Sequence, residues 1–315
     1  MSDISTKKKY MPNVNLVAYL QSAEKLIASS AKLTISPRDF NKIFDSMSDE
    51  DIEKWIKELL RRGHGSPLEH SIYVFEVICS RACSHQLVRH RHASYTQYSQ
   101  RYSDKYLRDL LSRVYELFGE KFTPEYSKHI NILVKLREIY DFNSLLDILS
   151  EGFIIPPFII STRRVEFLRS LVESLIQYYM ALATGASFED ARYLLPQAIK
   201  TRLIVSMNAR ELVEVFLPLR MCSRAQWEIR MIAWDLWKQL LSIHSALFKY
   251  TGPRCVMYDN RVRDHICSID DYLAGTCKPV IKRCPELVNG ENMVKCLYHA
   301  SRNPYGDYGL NSSFK

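Results

Sequence analysis

Arg89-His90-Arg91-His92-Ala93-Ser94-Tyr95-Thr96-Gln97-Tyr98-Ser99-Gln100-Arg101-Tyr102 gathers three arginines, two histidines and three tyrosines into fourteen residues without an acid. A guanidinium is a rigid fork of donors that matches phosphate oxygens, and tyrosine and histidine rings offer flat faces that also carry hydrogen-bonding atoms. The composition therefore suits a planar anionic ligand, and a nucleotide has both a phosphate and a flat ring. A short basic run also reads as a solvated loop, so the residues on either side decide between the two.

Upstream, Ser48 and Asp51 have the spacing of a capping box, Ile52, Trp55, Ile56, Leu59 and Leu60 recur on one helical face, and Gly63 suits a stop. Together they predict a helix over 48–63. Residues 71–79 are rich in β-branched and aromatic side chains and predict a buried strand. Residues 80–91 then read as a helix that delivers Arg89-His90-Arg91 to its C-terminal end, where cations are favoured, leaving 93–101 as a loop. Farther on, 104–165 match no periodic pattern and are interrupted at Gly152 and Pro156-Pro157. Phe167, Leu168, Leu171, Val172, Leu175 and Ile176 give a helix over 166–184 that Gly185 ends. Ser187 and Asp190 resemble a second capping box, so Arg192 sits early in a short helix closed by Pro196. Residues 209–249 are mostly helical in pattern, with an interruption at Pro218.

Several ordered blocks resemble one family. Arg89-His90-Arg91, followed after seven residues by Ser99, resembles the signature of the flavin-dependent thymidylate synthases, which make dTMP from dUMP. Gly63-His64-Gly65-Ser66-Pro67-Leu68-Glu69-His70 resembles that family's Gly-His-x-Ser/Thr-Pro-x-Glu-His. Ala191-Arg192-Tyr193-Leu194-Leu195-Pro196 resembles its Ala-Arg-x-x-Leu-Pro. Asn208-Ala209-Arg210-Glu211-Leu212, Leu219-Arg220 and Arg224-Ala225-Gln226-Trp227-Glu228-Ile229-Arg230 resemble its closing block. The resemblance covers about residues 50–256. It implies an α+β (or α/β) fold with a small mixed β-sheet wrapped by helices, a catalytic domain over 1–256 with a variable insertion at about 104–165, and a cysteine-containing extension over 257–315. It also implies a homotetramer whose active sites draw on several subunits, so that residues for FAD and for dUMP can alternate along one loop.

Methylating C5 of dUMP requires a ring that is electron-rich at that carbon. The resemblance implies that Arg220 supplies the activation, a permanent charge beside the ring that stabilises negative charge developing on it. It assigns Ser99, Gln100 and Arg101 to the dUMP phosphate with help from Gln86 and Arg192, and Arg89 and Gln97 also reach the substrate. For FAD it assigns Ser66, Arg89, His90, Arg91, Gln97, Asn208 and Arg210. These discrete donors stand where other folds use a glycine-rich loop, and this chain has no G-x-G-x-x-G. NADPH and 5,10-methylenetetrahydrofolate are the implied cosubstrates. His64 reads either as a proton handler at the flavin and folate edge or as a helix-end histidine packed against Glu69, and His70 reads as structural. Cys222, two residues from Arg220, is the thiol nearest this site, but the resemblance puts activation on the arginine and not on a thiol attacking C6. One departure stands out. Between Asn208 and Arg220 the chain is one residue longer than the family spacing, with Glu214-Val215 where one FAD-contacting residue is usual. The extra residue predicts a bulge in the helix.

The bulk properties narrow the alternatives. At 315 residues and 47% hydrophobic the chain can bury a substantial core. Its net charge of +8 favours anionic partners and keeps nucleic acid as a rival that the motif blocks displace. No apolar run reaches the roughly 18–20 residues needed to span a bilayer, and the N-terminus lacks the apolar stretch of a secretory leader. A cytoplasmic enzyme without membrane or nucleic-acid partners is expected. Few glycines and many tyrosines hint at a thermophilic origin. Eight cysteines are present, five of them from Cys255 onward, and none forms a C-x-x-C pair. Buried free thiols without metal are the expectation, with a zinc-bearing tail as the rival and disulfides credible mainly in a hyperthermophile.

Overall fold

Four strands, β1 (Asn13–Tyr19), β2 (Tyr73–Ser80), β3 (Ala93–Gln97) and β4 (Lys200–Met207), form one sheet in the order β1-β2-β4-β3. The computed structural model describes residues 9–306, so the start of the chain, read above as no leader, lies outside the described residues. Every neighbouring pair of strands is antiparallel. The fold is α+β, and the sheet is not the mixed one expected, because no parallel crossover joins its strands. Along β2 the side chains Tyr73, Phe75, Val77 and Cys79 are buried, and along β4 so are Leu203, Val205 and Met207. This period of two sets one face against the core.

Helices α1 (Ala23–Leu33), α2 (Phe40–Asp45), α3 (Asp49–Arg62) and α4 (Arg81–Leu87) surround the first half of the sheet. α3 follows its sequence signals: Ser48 accepts the Asp51 N–H, Gly63 closes the helix at φ 73°, and Ile52, Ile56, Leu59 and Leu60 are buried. α4 is shorter than expected. The Tyr95 hydroxyl lies 2.9 Å from the Leu87 carbonyl and 2.8 Å from that of His90, sharing its one hydrogen between oxygens at the helix end. The chain therefore turns at residues 88–92, and Arg89 and Arg91 sit in that turn. The segment expected as a loop is strand β3, whose Ala93, Tyr95 and Gln97 face inward while Ser94 and Thr96 are exposed.

The stretch 104–165, patternless in sequence, contains α5 (Arg108–Leu117), α6 (Tyr126–Arg137), α7 (Phe142–Leu149) and α8 (Pro157–Thr162). With α9 (Val165–Ala183) they enclose a second apolar core of residues such as Leu110, Leu133, Leu145, Leu171 and Tyr178. α10 (Phe188–Ala191) is capped by Ser187 as its spacing predicts. A π-helical segment over Glu211–Phe216 leads into α11 (Leu217–Arg220), and α12 (Trp227–Ile243) covers the sheet. Gln239 of α12 accepts the Leu16 N–H and donates to the Val14 carbonyl, which satisfies the open edge of β1.

α13 (Ser245–Phe248), α14 (Arg254–Arg261), α15 (Ile269–Ala274) and α16 (Met293–Ser301) complete the fold. Met257, Ile269, Tyr272, Met293 and Leu297 join the same apolar core as the sheet and α12. Fully buried Asp259 accepts from Tyr272, Arg263 and the N–H groups of Val280 and Ile281, which organises this tail. Cys267 and Cys277 are joined as a disulfide, so the expectation of free thiols fails for this pair. The capped α15, with Ser268 before it and Gly275 after, folds the nine intervening residues back on themselves and brings the two sulfurs together.

Candidate active site

Arg220 stands at the C-terminus of α11, half-buried, with its guanidinium against the end of α4. Its Nε donates to His90 Nε2 at 2.9 Å and its NH2 group to the Gln86 carbonyl at 3.1 Å. No carboxylate among the described residues pairs with it, so it is no surface ion pair. A guanidinium only donates, so His90 Nε2 must accept, and the imidazole proton therefore resides on Nδ1. That nitrogen lies 3.0 Å from Glu211 Oε1, and both His90 and Glu211 are buried. The result is a chain Glu211, His90, Arg220 in which a buried acid fixes the imidazole tautomer and the imidazole fixes the arginine. His90, expected at the flavin, has both ring nitrogens engaged in this chain and stands behind Arg220.

The π-helical segment makes that chain possible. Asn208 Oδ1 accepts the Glu211 N–H at 2.9 Å and starts the segment. The wider turns take up the extra residue between Asn208 and Arg220, as the spacing predicts. Glu211 then points into the core while Glu214 lies at the surface beside Arg210. Arg210 Nε donates to Glu214 at 3.0 Å and NH1 also meets Glu69, so this arginine is carboxylate-paired. A Cβ on Gly65 would stand 2.6 Å from Arg210 Nε and 2.7 Å from Glu214 Oε1, so a larger residue there would displace the ends of this pair. Of the two residues left open by the sequence, Glu214 is the one whose polar side chain lies in this patch, close to the exposed His64 and Ser66. His70 is exposed as well.

A cleft of about 280 Å³ opens on the same side, lined in part by Ser71, His92, Ser94 and Asn208. Arg89, Arg91 and His92 are exposed in the turn before β3, and no ion pair forms with either arginine among the described residues. Exposed guanidinium groups without a carboxylate partner are donors of the kind that hold phosphate oxygens. Asn208 lines this cleft beside Glu69 and His92, and Arg89 and Arg91 precede His92 in the same turn. The amide of Gln97, by contrast, is turned inward and donates to Ser84 Oγ at 3.2 Å and Thr201 Oγ1 at 3.0 Å.

A second cavity, about 370 Å³, lies at the other end of β3 and is lined by Arg81, His85, Gln100, Arg192, Tyr193 and Pro196 among others, with no acid in its wall. Buried Gln100 has its Nε2 without a hydrogen-bond partner, a donor that a ligand oxygen would satisfy. Burial pulls the Arg81 guanidinium down, and the Arg192 charge nearby adds to that. An anion in this cavity relieves both. Glu189 holds two of the expected phosphate residues together: Arg101 pairs with it at 2.9 Å, and Arg192 donates to its carbonyl at 3.1 Å. Ser99 Oγ accepts the Arg101 N–H at 3.2 Å and shapes the intervening turn.

Sequence reading missed Arg81 and His85, although their four-residue separation on one helix already puts them on one face. Glu211 was present in a quoted block without a role, and only its burial assigns one. Cys222 does not have the environment of a nucleophile, since burial pushes its thiol up. A buried cluster of Cys79, Cys83 and Glu228 lies nearby, but both carboxylate oxygens of Glu228 already accept from Ser80, each at 2.6 Å.

Residues 15–244 match the family described as thymidylate synthase complementing protein. The flavin-dependent thymidylate synthase of Aeropyrum pernix is 40% identical over 312 residues, spanning 94% of this chain and 95% of its own. That of Sulfurisphaera tokodaii is 36% identical over 287 residues, spanning 90% and 95%. Among solved structures, the flavin-dependent thymidylate synthase of Helicobacter pylori complexed with FAD and dUMP is similar at a TM-score of 0.53 and 26% identity, over 76% of this chain and 99% of that one.

Proposed function

Because this chain belongs to the flavin-dependent thymidylate synthase family, we propose that it converts dUMP to dTMP with FAD as its flavin, and that Arg220 is the group acting on the uracil. The observation that carries the assignment is the Arg220 guanidinium, half-buried and held by His90 and Gln86 without a carboxylate to neutralise it. A fixed, unpaired charge in a partly dry site stabilises negative charge developing on the ring more than the same charge in water. Arg81, His85, Gln100 and Arg192, with Ser99 and Arg101 on the adjoining turn, receive the dUMP phosphate. Ser66, Arg89, Arg91, Asn208 and the Arg210 patch bind FAD, which when bound supplies the reducing equivalent.

The finer points rest on the same reading. 5,10-Methylenetetrahydrofolate is the one-carbon donor and NADPH the reductant. Residues 1–256 form the catalytic part, with 257–315 as an extension that shares its core. The FAD donors and the phosphate cavity lie at opposite ends of β3, which supports a site completed by other subunits of a homotetramer. Val17, Ile72 and Ile204 are 58%, 50% and 41% exposed around the open side of the sheet, an apolar surface suited to burial against another copy. No helix of the described residues is long and apolar enough to cross a membrane, and we place the enzyme in the cytoplasm, with nucleotides and not nucleic acid as its partners.

The test is an absorption spectrum of purified protein combined with a dTMP assay containing dUMP, methylenetetrahydrofolate, NADPH and FAD. Flavin bands and dUMP-dependent dTMP are expected, and Arg220→Ala should abolish turnover while FAD stays bound. A colourless protein that takes up no added FAD would overturn the proposal.

A further inference from the structure

A cavity of about 150 Å³ lies between α12 and the end of α16, and it shares no lining residue with the two clefts above. Arg230, Met231, Trp234, Asp235 and Lys238 recur at the helical spacing that puts them on one side of α12. Residues 300–303 close the cavity from the tail, and Met11 closes it from just before β1. Two of its three walls therefore come from outside the span 15–244 that matches the family.

The walls specify what fits between them. Trp234 and Met231 are 5% and 9% exposed and, with Met11, supply apolar surface. Arg230, Lys238 and Arg302 bring three positive charges against the single negative charge of Asp235, whose carboxylate stands 4.0 Å from the Lys238 ammonium. Such a lining suits a ligand with an apolar body and one anionic head. An indole offers the body a flat face, and a guanidinium matches the two oxygens of a carboxylate. A cavity of this volume holds about one benzene-sized ring, so a whole nucleotide, folate or flavin does not fit.

Two of the lining side chains also hold the turn that follows Arg220. Trp234 Nε1 donates to the Met221 carbonyl at 3.1 Å. Arg230 NH1 donates to the Ser223 carbonyl at 2.9 Å and to that of Ala225 at 3.2 Å. A carboxylate is a stronger acceptor for a guanidinium than a peptide carbonyl is. One seated in the cavity would draw Arg230 away from the turn and loosen residues 221–225, directly after the arginine that acts on the uracil.

We propose that this cavity is a regulatory site for a small aromatic carboxylate of benzoate size, and that its occupation slows the enzyme by releasing the turn after Arg220. The binding half stands on the cavity alone, whereas the regulatory half rests on the role of Arg220 proposed above.

The test uses the full-length, FAD-loaded protein with benzoate as the probe. Benzamide keeps the ring without the charge, and inorganic phosphate keeps the charge without the ring. Titration calorimetry should show one benzoate per chain with a Kd of about 1 mM or tighter, benzamide weaker by about tenfold or more, and no competition from phosphate. Arg302→Ala, an exposed change, should weaken benzoate about tenfold while turnover without benzoate stays at the parent level. Should that variant fail to fold, Lys238→Ala on the exposed side of α12 replaces it with the same expectation. In the dTMP assay saturating benzoate should lower kcat about fivefold without raising the KM for dUMP. No saturable benzoate binding below about 10 mM, equal affinity for benzamide, competition by phosphate or dUMP, or unchanged affinity in the variant would overturn the site. Benzoate that binds as described but leaves kcat unchanged would overturn the regulatory half. Binding of benzoate to a protein that makes no dTMP would support the site and count against the proposed reaction instead.

Discussion

Replacing Glu211 by glutamine tests whether the chain Glu211, His90, Arg220 positions the arginine. The change keeps the volume and removes the charge. In the native protein the carboxylate accepts from His90 Nδ1, at 3.0 Å, and leaves Nε2 as the acceptor for Arg220 Nε at 2.9 Å. A glutamine can present its NH2 to Nδ1, which moves the imidazole proton to Nε2, where it faces the Nε–H of Arg220. The hydrogen bond then lost has a charged donor and is worth about 1.5–3 kcal/mol. If it is needed to aim Arg220 in the transition state, that corresponds to roughly 10- to 150-fold in kcat. With its NH2 on Nδ1 the glutamine fills the same volume and keeps one hydrogen bond to the ring, so the melting temperature should change by only a few degrees. Initial rates of dTMP formation, with dUMP and folate varied separately, measure the effect, which should fall on kcat and leave the KM for dUMP nearly unchanged. His90→Ala supplies the second arm of a double-mutant cycle, in which Glu211→Gln should cost almost nothing once the imidazole that relays it is gone. An equal loss from Glu211→Gln in both backgrounds would refute the relay, as would full kcat in the single variant.

Arg192→Ala should raise the KM for dUMP about tenfold or more while FAD binding stays intact, because it removes one charge from the cavity containing Gln100; an unchanged KM means that the phosphate docks elsewhere. Lys200 is buried with its ammonium on the Ser150 carbonyl, and burial pulls it down to about 8 against the opposing pull of Glu151. Its folded value is below the unfolded one near 10.4, so the folded state holds fewer protons between them and stability rises with pH from about 8 to about 10.4. Lys200→Met should therefore be stabilising at pH 7, by at most roughly 3 kcal/mol, and the gap to the parent should shrink at pH 10; urea unfolding that shows the same gap at both pH values would refute this. Ser80→Ala removes the N-cap of α4 and a 2.6 Å bond to buried Glu228, and a loss of roughly 2–4 kcal/mol is expected in the same unfolding experiment; a loss below about 1 kcal/mol would mean that water replaces the hydroxyl.

The features legible in the sequence were local ones. α3 carries its cap, and both α3 and α9 carry their apolar stripes and a following glycine, within one short window each, so pattern and structure agree. The end of α4 was not legible, because Tyr95 stops the helix by reaching back to carbonyls five and eight residues earlier. The same fold-back turns an expected loop into β3. The helices over 104–165 are short and find their partners on α9, outside any window that a periodicity scan inspects. In the site, the residues for phosphate and flavin could be quoted from motif blocks, whereas Glu211 gains its role only from burial against His90.

The π-helical segment over Glu211–Phe216 also has a meaning for tolerance to length change. Each residue added to an α-helix turns everything after it by about 100°. An insertion between Asn208 and Arg220 would thus swing the arginine to another side of its helix. Here the wider turns act as a phase compensator. They store the additional residue as a local swelling, and the downstream helix resumes with Arg220 still directed at His90. Deleting one residue from the swelling should return the segment to ordinary helix without re-aiming the arginine, whereas a deletion in α12 has no such reservoir and would rotate the rest of that helix. Chain length at this point is therefore free to drift while one guanidinium keeps its direction.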